Sequence, residues 1–155
     1  MPACLEELSF AAAERALDKQ ERLLEEIRAR TGVLLAAASL AASFFGAEAL
    51  DDPDPTWVLV VILVAFATSI GASVYALTPK KGFTFALSGP KMYEGLYPFR
   101  DDMPEVHRRL TYDLQRFWDA NDHVIGRIVN AYRIAAAALA VEIAGLTVLV
   151  SGTLL

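Results

Sequence analysis

The stretch WVLVVILVAFATSIGASVYAL, residues 57–77, decides the fold, because it contains no charged residue. A helix of this length extends about 30 Å, which is the thickness of the hydrocarbon core of a bilayer. A soluble helix that is apolar on every face must be buried inside a large protein. A chain of 155 residues is too small to bury it, so the stretch predicts a membrane-spanning helix.

Two further windows have the same character. Residues 31–50, TGVLLAAASLAASFFGAEAL, contain only Glu48 as a charged residue, and residues 134–155 contain only Glu142. The Ala47-Glu48-Ala49 triplet resembles a signal-peptide cleavage site, but the 30 residues before the window hold seven carboxylates instead of a short basic region. The sequence therefore predicts an all-α integral membrane protein with three transmembrane helices.

Composition excludes several functional classes. The chain is 55% hydrophobic with a mean hydropathy of +0.37, and its net charge of -5 argues against nucleic-acid binding. Its single cysteine, Cys4, has no partner for a disulfide, and His107 and His123 lie too far apart on one helix to share a metal. The sequence contains no phosphate-binding loop or catalytic signature. We therefore expect a protein without enzymatic activity, cofactor or metal.

The distribution of cations predicts the orientation. All fourteen Lys and Arg residues fall within residues 1–30 or 78–133, whereas the 51–56 hairpin carries three aspartates and no cation. With three spans, these two basic regions lie on the same side of the membrane, which the positive-inside rule makes cytoplasmic. We expect a multi-pass protein of a bacterial inner membrane with a cytoplasmic N-terminus and an external C-terminus.

Two long helices are predicted on the cytoplasmic side, separated by a loop. Residues 1–30 contain strong helix formers and should continue into the first span, and residues 104–133 should continue into the third. Asp101 or Asp102 is the expected N-cap of the second of these helices. Gly, Pro and aromatic residues fill the 78–103 segment between them, which predicts an ordered loop or a short strand pair.

Apolar stripes predict that the two cytoplasmic helices pack together as a stalk. The first stripe comprises Leu17, Leu23, Leu24 and Ile27, and the second comprises Leu110, Leu114, Phe117, Trp118, Ile125, Ile128 and Val129. The first helix is either a solvated stalk or a coiled-coil contact between copies. Trp118 and Asn121 share one side of the second helix, where Asn121 is either solvated or buried so as to fix the register.

Arginines near the start of the second cytoplasmic helix are candidate ligand contacts. Arg108, Arg109 and Arg116 could meet an anionic ligand or lipid headgroups. The neighbouring residues Asp113, Asp119 and Asp122 favour a salt-bridged surface instead.

Glu142 requires a specific explanation, because an ionised carboxylate inside a bilayer is costly. It is either protonated and hydrogen-bonded within the bundle, or it has a pore-lining or proton-accepting role in an oligomer. Its candidate partners carry hydroxyl groups on the other two spans: Ser39, Ser43, Thr68, Ser69 and Ser73. Small residues at four-residue spacing should let the spans approach closely: Ala65, Ser69 and Ser73 on the second span, and Ala136, Ala140 and Ala144 on the third.

Two segments carry a resemblance to a known group of proteins. They are LLEEIRARTGVLLAAASLAASFFG, residues 23–46, and FWDANDHVIGRIVNAYRIAAAALAVE, residues 117–142. With the short hairpin between the first two spans and positions such as Arg30, Gly32, Trp118 and Asn121, the layout resembles the Pycsar-type transmembrane effectors of anti-phage systems and the related SLATT membrane proteins. The resemblance implies homo-oligomerisation, membrane damage and a cyclic nucleotide as the signal.

Overall fold

Helices account for nearly all of the described part of the chain in this computed structural model, which covers residues 4–51, 56–80, 83 and 89–153. For residues 44–51, 56, 91, 150, 152 and 153 it describes the backbone alone. These ranges contain no β-strand, so the predicted all-helical class is confirmed. Most of the predicted 51–56 hairpin lies outside the described residues.

Four α-helices follow one another along the chain. They are α1 (Leu5–Asp51), α2 (Thr56–Leu77), α3 (Gly89–Leu96) and α4 (Met103–Thr153), and a 3-10 helix (Tyr97–Phe99) joins α3 to α4. Because no proline falls between residues 5 and 51, or beyond the first turn of α4, nothing interrupts the backbone hydrogen bonds of the two long helices. The prediction that each continues into an apolar segment is confirmed.

Two of these helices are long and apolar enough to cross a membrane. They are α2 over Trp57–Leu77 and the part of α4 within Met103–Leu149. The first predicted span, residues 31–50, is helical, but the side chains of residues 44–50 lie outside the described set. Three transmembrane helices therefore stay a prediction.

The segment between α2 and α4 differs from its prediction. We expected a loop or a strand pair across residues 78–103, whereas residues 89–96 form α3 and residues 97–99 a 3-10 helix. Proline at the start of a helix costs little, because its missing N–H would have no partner there in any case. Pro90 and Pro98 both occupy such positions, so here they begin helices instead of preventing them. Residues 81–82 and 84–88 lie outside the described set.

Asp102 caps α4 in the way that its sequence predicts. Its Oδ1 accepts a hydrogen bond from the backbone N–H of Glu105 at 3.2 Å, and its carbonyl accepts one from Val106 at 3.1 Å. Pro104 occupies the first turn, where it removes no helical hydrogen bond.

Loss of this cap should weaken the start of α4. Asp102→Ala is expected to lower the free energy of unfolding by about 0.5–2 kcal/mol and to speed hydrogen exchange at the Glu105 amide. Asp101→Ala is the matched control, because Asp101 makes only a loose contact with Arg100, 3.8 Å between Nε and Oδ2. Equal exchange rates in both variants would contradict the assignment of the cap.

The described residues divide into two compact units, to which α1 and α4 both contribute. Residues 1–25 and 80–126 form what we call the charged unit, and residues 26–79 and 127–155 form the apolar unit. In the charged unit the Phe10 and His107 rings stack at 5.5 Å, and Gln20 donates from Nε2 to the Trp118 carbonyl at 3.2 Å. Residue numbers rise together across these contacts, so α1 and α4 are parallel there.

In the apolar unit α2 runs antiparallel to α4. Ser69 donates from Oγ to the Ala135 carbonyl at 3.2 Å, while Ile62 lies against Gly145. One hydrophobic cluster contains Val58, Ile62, Leu146 and Leu149, and Ala41 of α1 packs against it. Helices α1, α2 and α4 therefore all contribute to the core of this unit.

The buried positions follow the spacing of helices that pack at a shallow angle. On α1, successive buried residues are three or four apart: Leu17, Gln20, Leu24, Ile27 and Thr31. Other parts of the same chain bury this stripe. It includes Gln20, which the apolar pattern did not select. Leu23 was predicted to belong to the stripe, but its side chain is 43% exposed, because one residue is a rotation of about 100° away from Leu24.

Candidate functional site

Glu142 lies in the core of the apolar unit. Its side chain is 1% exposed, and the residues one turn to either side, Leu139 and Leu146, are also buried. No donor among the described residues hydrogen-bonds to its buried Oε2. The carboxyl group therefore occupies a position where an apolar side chain would pack.

The hydroxyl groups predicted to bind Glu142 make other hydrogen bonds or lie elsewhere. Three of them are exposed and donate to the carbonyl four residues earlier on their own helix, at 2.7–2.9 Å: Ser39, Ser43 and Thr68. This local bond satisfies a hydroxyl group without a neighbouring helix.

Ser69 and Ser73 are fully buried, but neither hydrogen-bonds to Glu142. Ser69 donates to Ala135, which is seven residues, or about 10 Å along the axis, from Glu142. Ser73 is one further turn away in the same direction, and no described residue hydrogen-bonds to its buried Oγ. Glu142 and Ser73 are thus separate polar groups in an apolar core.

Burying Glu142 has a cost that its surroundings do not offset. Insertion scales assign at least about 2.5 kcal/mol to a charged carboxylate at the centre of a span. A neutral carboxyl group without a hydrogen-bond partner still costs about 1–3 kcal/mol. We therefore expect the packed arrangement of this unit to be less stable with glutamate than with leucine at position 142.

Small residues set the contact between α2 and α4, although not all of the predicted ones do so. On α2 the stripe of Ala65, Ser69 and Ser73 is buried, as predicted. On α4 a close contact lies at Gly145, where an added Cβ would lie 2.7 Å from Cγ1 of Ile62. Gly145 was not predicted to be a contact residue. In the sequence, only its position between Glu142 and Leu149 indicates that role.

The predicted small stripe of α4 points away from the core of the chain. Ala136 is half-buried, and Ala140 and Ala144 are exposed. Ala140 and Ala144 belong to a longer outward stripe with alternating three- and four-residue spacing: Ala137, Ala140, Ala144, Thr147 and Ser151, all exposed. A shallow apolar groove of about 290 Å³ beside Ala144 is lined by α2 and α4 residues that include Val61 and Val141. The apolar part of α4 thus has a second face suited to close helix packing.

Polar residues also occur in the core of the charged unit. Asn121 is 1% exposed and Gln20 is 7% exposed, so the buried alternative for Asn121 holds. Trp118 is half-buried, and its carbonyl accepts the hydrogen bond from Gln20. Such buried polar residues restrict the register in which two helices pack. Gln20 was not predicted to be buried, although it lies three residues after Leu17, at helical spacing.

The candidate arginines are arranged around Glu105. Arg108 donates to Glu105 at 2.7 Å and Arg109 at 2.8 Å, and these bonds hold the pKa of Glu105 below its ordinary value. The guanidinium of Arg109 also lies 3.8 Å above the Phe99 ring. Arg116 is exposed, one turn beyond Tyr112. The salt-bridged alternative therefore describes Arg108 and Arg109, with Glu105 as the acid in place of the predicted aspartates.

An aromatic surface covers α3 and the 3-10 helix of the charged unit. Tyr93 and Tyr97 are 66% and 48% exposed, with ring centroids 5.5 Å apart. Arg100 stands over the Tyr97 ring at 4.5 Å. Exposed tyrosine, methionine and arginine are typical of protein-binding surfaces, and Met92 and Met103 are also exposed here. We call this set the α3 surface.

The described side chains include no group of three His, Cys, Asp or Glu residues placed to hold a metal ion. Within that part of the chain, His107 stacks on Phe10 and His123 is exposed.

Comparisons with known proteins identify no relative. No protein-family model matches the chain, and no curated protein or solved structure matches it.

Proposed function

We propose that this chain is a non-enzymatic membrane effector that self-associates in a bacterial inner membrane and permeabilises it, as part of an anti-phage system. The observation that carries this proposal is the outward face of α4. This face consists of small residues, which favour helix association in membranes. A helix that faces only lipid would gain no stability from small residues on that face. Self-association of the apolar units is the simplest use of that face.

The proposed orientation has the charged unit in the cytoplasm and the C-terminus outside. Support comes from the fourteen cations, which all lie within residues 1–30 and 78–133. Because α1 and α4 contribute to both units, a signal bound to the charged unit would act on the helices that also build the apolar unit. The resemblance to Pycsar-type effectors makes a cyclic nucleotide the first signal to test.

Bulk on the outward face should impair both association and permeabilisation. The Ala140→Leu and Ala144→Leu double variant is expected to reduce cross-linked oligomer in membranes by about tenfold, equivalent to about 1.4 kcal/mol of association. Uptake of an impermeant dye after induced expression should fall in parallel. Ala67→Leu is the control, because it adds the same bulk at an exposed position of α2.

An intact membrane under all conditions, with candidate cyclic nucleotides or phage present, would exclude the effector function. Unchanged association in the double variant would show that another face mediates it.

A second candidate function is an accessory membrane subunit that binds a partner through its cytoplasmic helices. The α3 surface favours it, because Tyr93, Tyr97 and Arg100 form an exposed aromatic and cationic set. Stable co-purification with one partner, in cells that grow normally with an intact membrane, would support this function over the effector.

A further inference from the structure

Glu142 is the ionisable member of a seam of buried residues on α4. Buried positions recur every seven residues: Leu114, Asn121, Ile128, Ala135, Glu142 and Leu149. In a helix that packs along this seam, an apolar residue at position 142 would satisfy the pattern. Glu142 is instead ionisable, and no described residue donates to its Oε2. The packed unit therefore holds a group that would gain from contact with water.

We propose that Glu142 favours opening of the apolar unit and that, in the assembled state, its carboxylate lines a path for cations. This inference rests on the proposed function, because it requires an assembled state that crosses the membrane. A change that moves Glu142 from the apolar core to a water-filled path restores its hydration. Carboxylates in such paths select cations over anions.

Geometry limits how the opening can occur. Gly145, one turn after Glu142, touches Ile62 of α2, and Leu146 belongs to the cluster that includes Val58 and Ile62. Exposure of Glu142 to water therefore requires α4 to separate from a neighbouring helix or to rotate about its axis. The outward stripe of α4 could replace the lost contacts by packing against a second copy.

Three substitutions of Glu142 separate charge from polarity. Glu142→Leu removes both, Glu142→Gln keeps the shape and polarity without the charge, and Glu142→Asp keeps the carboxylate. Ile143→Leu is the control, because Ile143 is 46% exposed and lies outside the seam. The purified proteins would be compared in detergent for thermal unfolding and in liposomes for reversal potential under a KCl gradient.

Opposite effects on stability and conduction are the expected signature. Glu142→Leu should raise Tm by several degrees and lower ion flux at least tenfold. Glu142→Gln should assemble and conduct but lose the preference for K⁺ over Cl⁻, and Glu142→Asp should retain it. A residue with a merely structural role would lower Tm when replaced and would leave selectivity unchanged.

The outcomes that overturn the inference differ from those that overturn the proposed function. If wild-type protein permeabilises liposomes and Glu142→Gln keeps its selectivity, Glu142 does not line the path, while the effector function stands. A lower Tm for Glu142→Leu, with Glu142→Gln as a folded reference, would show that the carboxyl group stabilises the packed unit. If wild-type protein conducts nothing, the effector function and the cation path both fail, and the Tm comparison alone decides whether the carboxyl group disfavours packing.

Discussion

Leu24→Ala is expected to lower the free energy of unfolding by about 2–5 kcal/mol, whereas Leu23→Ala should change it by less than about 0.5 kcal/mol. The two leucines are adjacent, but Leu24 is 3% exposed and Leu23 is 43% exposed. Truncation of Leu24 removes buried apolar surface and leaves a cavity between α1 and its neighbours in the charged unit. Chemical denaturation of the purified protein, followed by circular dichroism, measures both values.

The adjacent pair controls for composition and helix propensity, because both variants exchange the same residue types in the same helix. The comparison therefore depends on which way the α1 stripe faces. Equal losses of stability at the two positions would mean that Leu23 is also buried, as it would be if α1 formed a coiled coil between copies. Leu17→Ala, at a second buried position of the stripe, should resemble Leu24→Ala.

Helical spacing predicted the charged unit well because its helices have distinct faces. Residues such as Leu17, Leu24, Leu110 and Leu114 stand out against charged neighbours, and all four are buried. Capping preferences narrowed the N-cap of α4 to Asp101 or Asp102, and the structure selects Asp102. Polar residues of the interface, above all Gln20, were not predicted, because the predicted stripes contained apolar residues only.

The apolar unit could not be oriented in the same way. Both faces of a spanning helix are apolar, so the spacing contrast that marks a buried face is weak. The stripe of Ala136, Ala140 and Ala144 and the seam that includes Ala135 both contain small residues that can pack closely. Only the structure shows that the seam faces inward and that Ala140 and Ala144 face outward.

The partners of Glu142 were unpredictable for a related reason. A hydroxyl group inside a span can bond to its own helix, so its presence in the sequence does not identify a neighbour. Thr68 does this with the Val64 carbonyl, and Ser69 bonds across to α4, although at Ala135 and not at Glu142. Whether a hydroxyl group bonds to its own helix or to a neighbouring helix depends on the register of the two helices. That register depends on side-chain packing along the whole interface.

Gly145→Ala is expected to destabilise the apolar unit, although alanine usually stabilises a helix relative to glycine. The new Cβ would lie 2.7 Å from Cγ1 and 3.3 Å from Cδ1 of Ile62. Because Cγ1 is in the middle of the side chain, the helices themselves must separate or Ile62 must leave its rotamer, and overpacking of this kind costs about 1–3 kcal/mol. Gly71→Ala should instead gain about 0.5–1 kcal/mol, since nothing lies within 4 Å of its added Cβ.

A double-mutant cycle identifies Ile62 as the cause. Ile62→Ala alone creates a cavity beside Gly145, and the alanine introduced at position 145 would partly fill it. The destabilisation of the double variant should therefore be smaller than the sum of the two single values by about 0.5–3 kcal/mol, measured by reversible unfolding in mixed micelles. Strict additivity would place the clash elsewhere. The antiparallel register of α2 and α4 would then depend on the Ser69–Ala135 hydrogen bond and on the packing of Val58 against Leu146 and Leu149, without a contribution from close packing at Gly145.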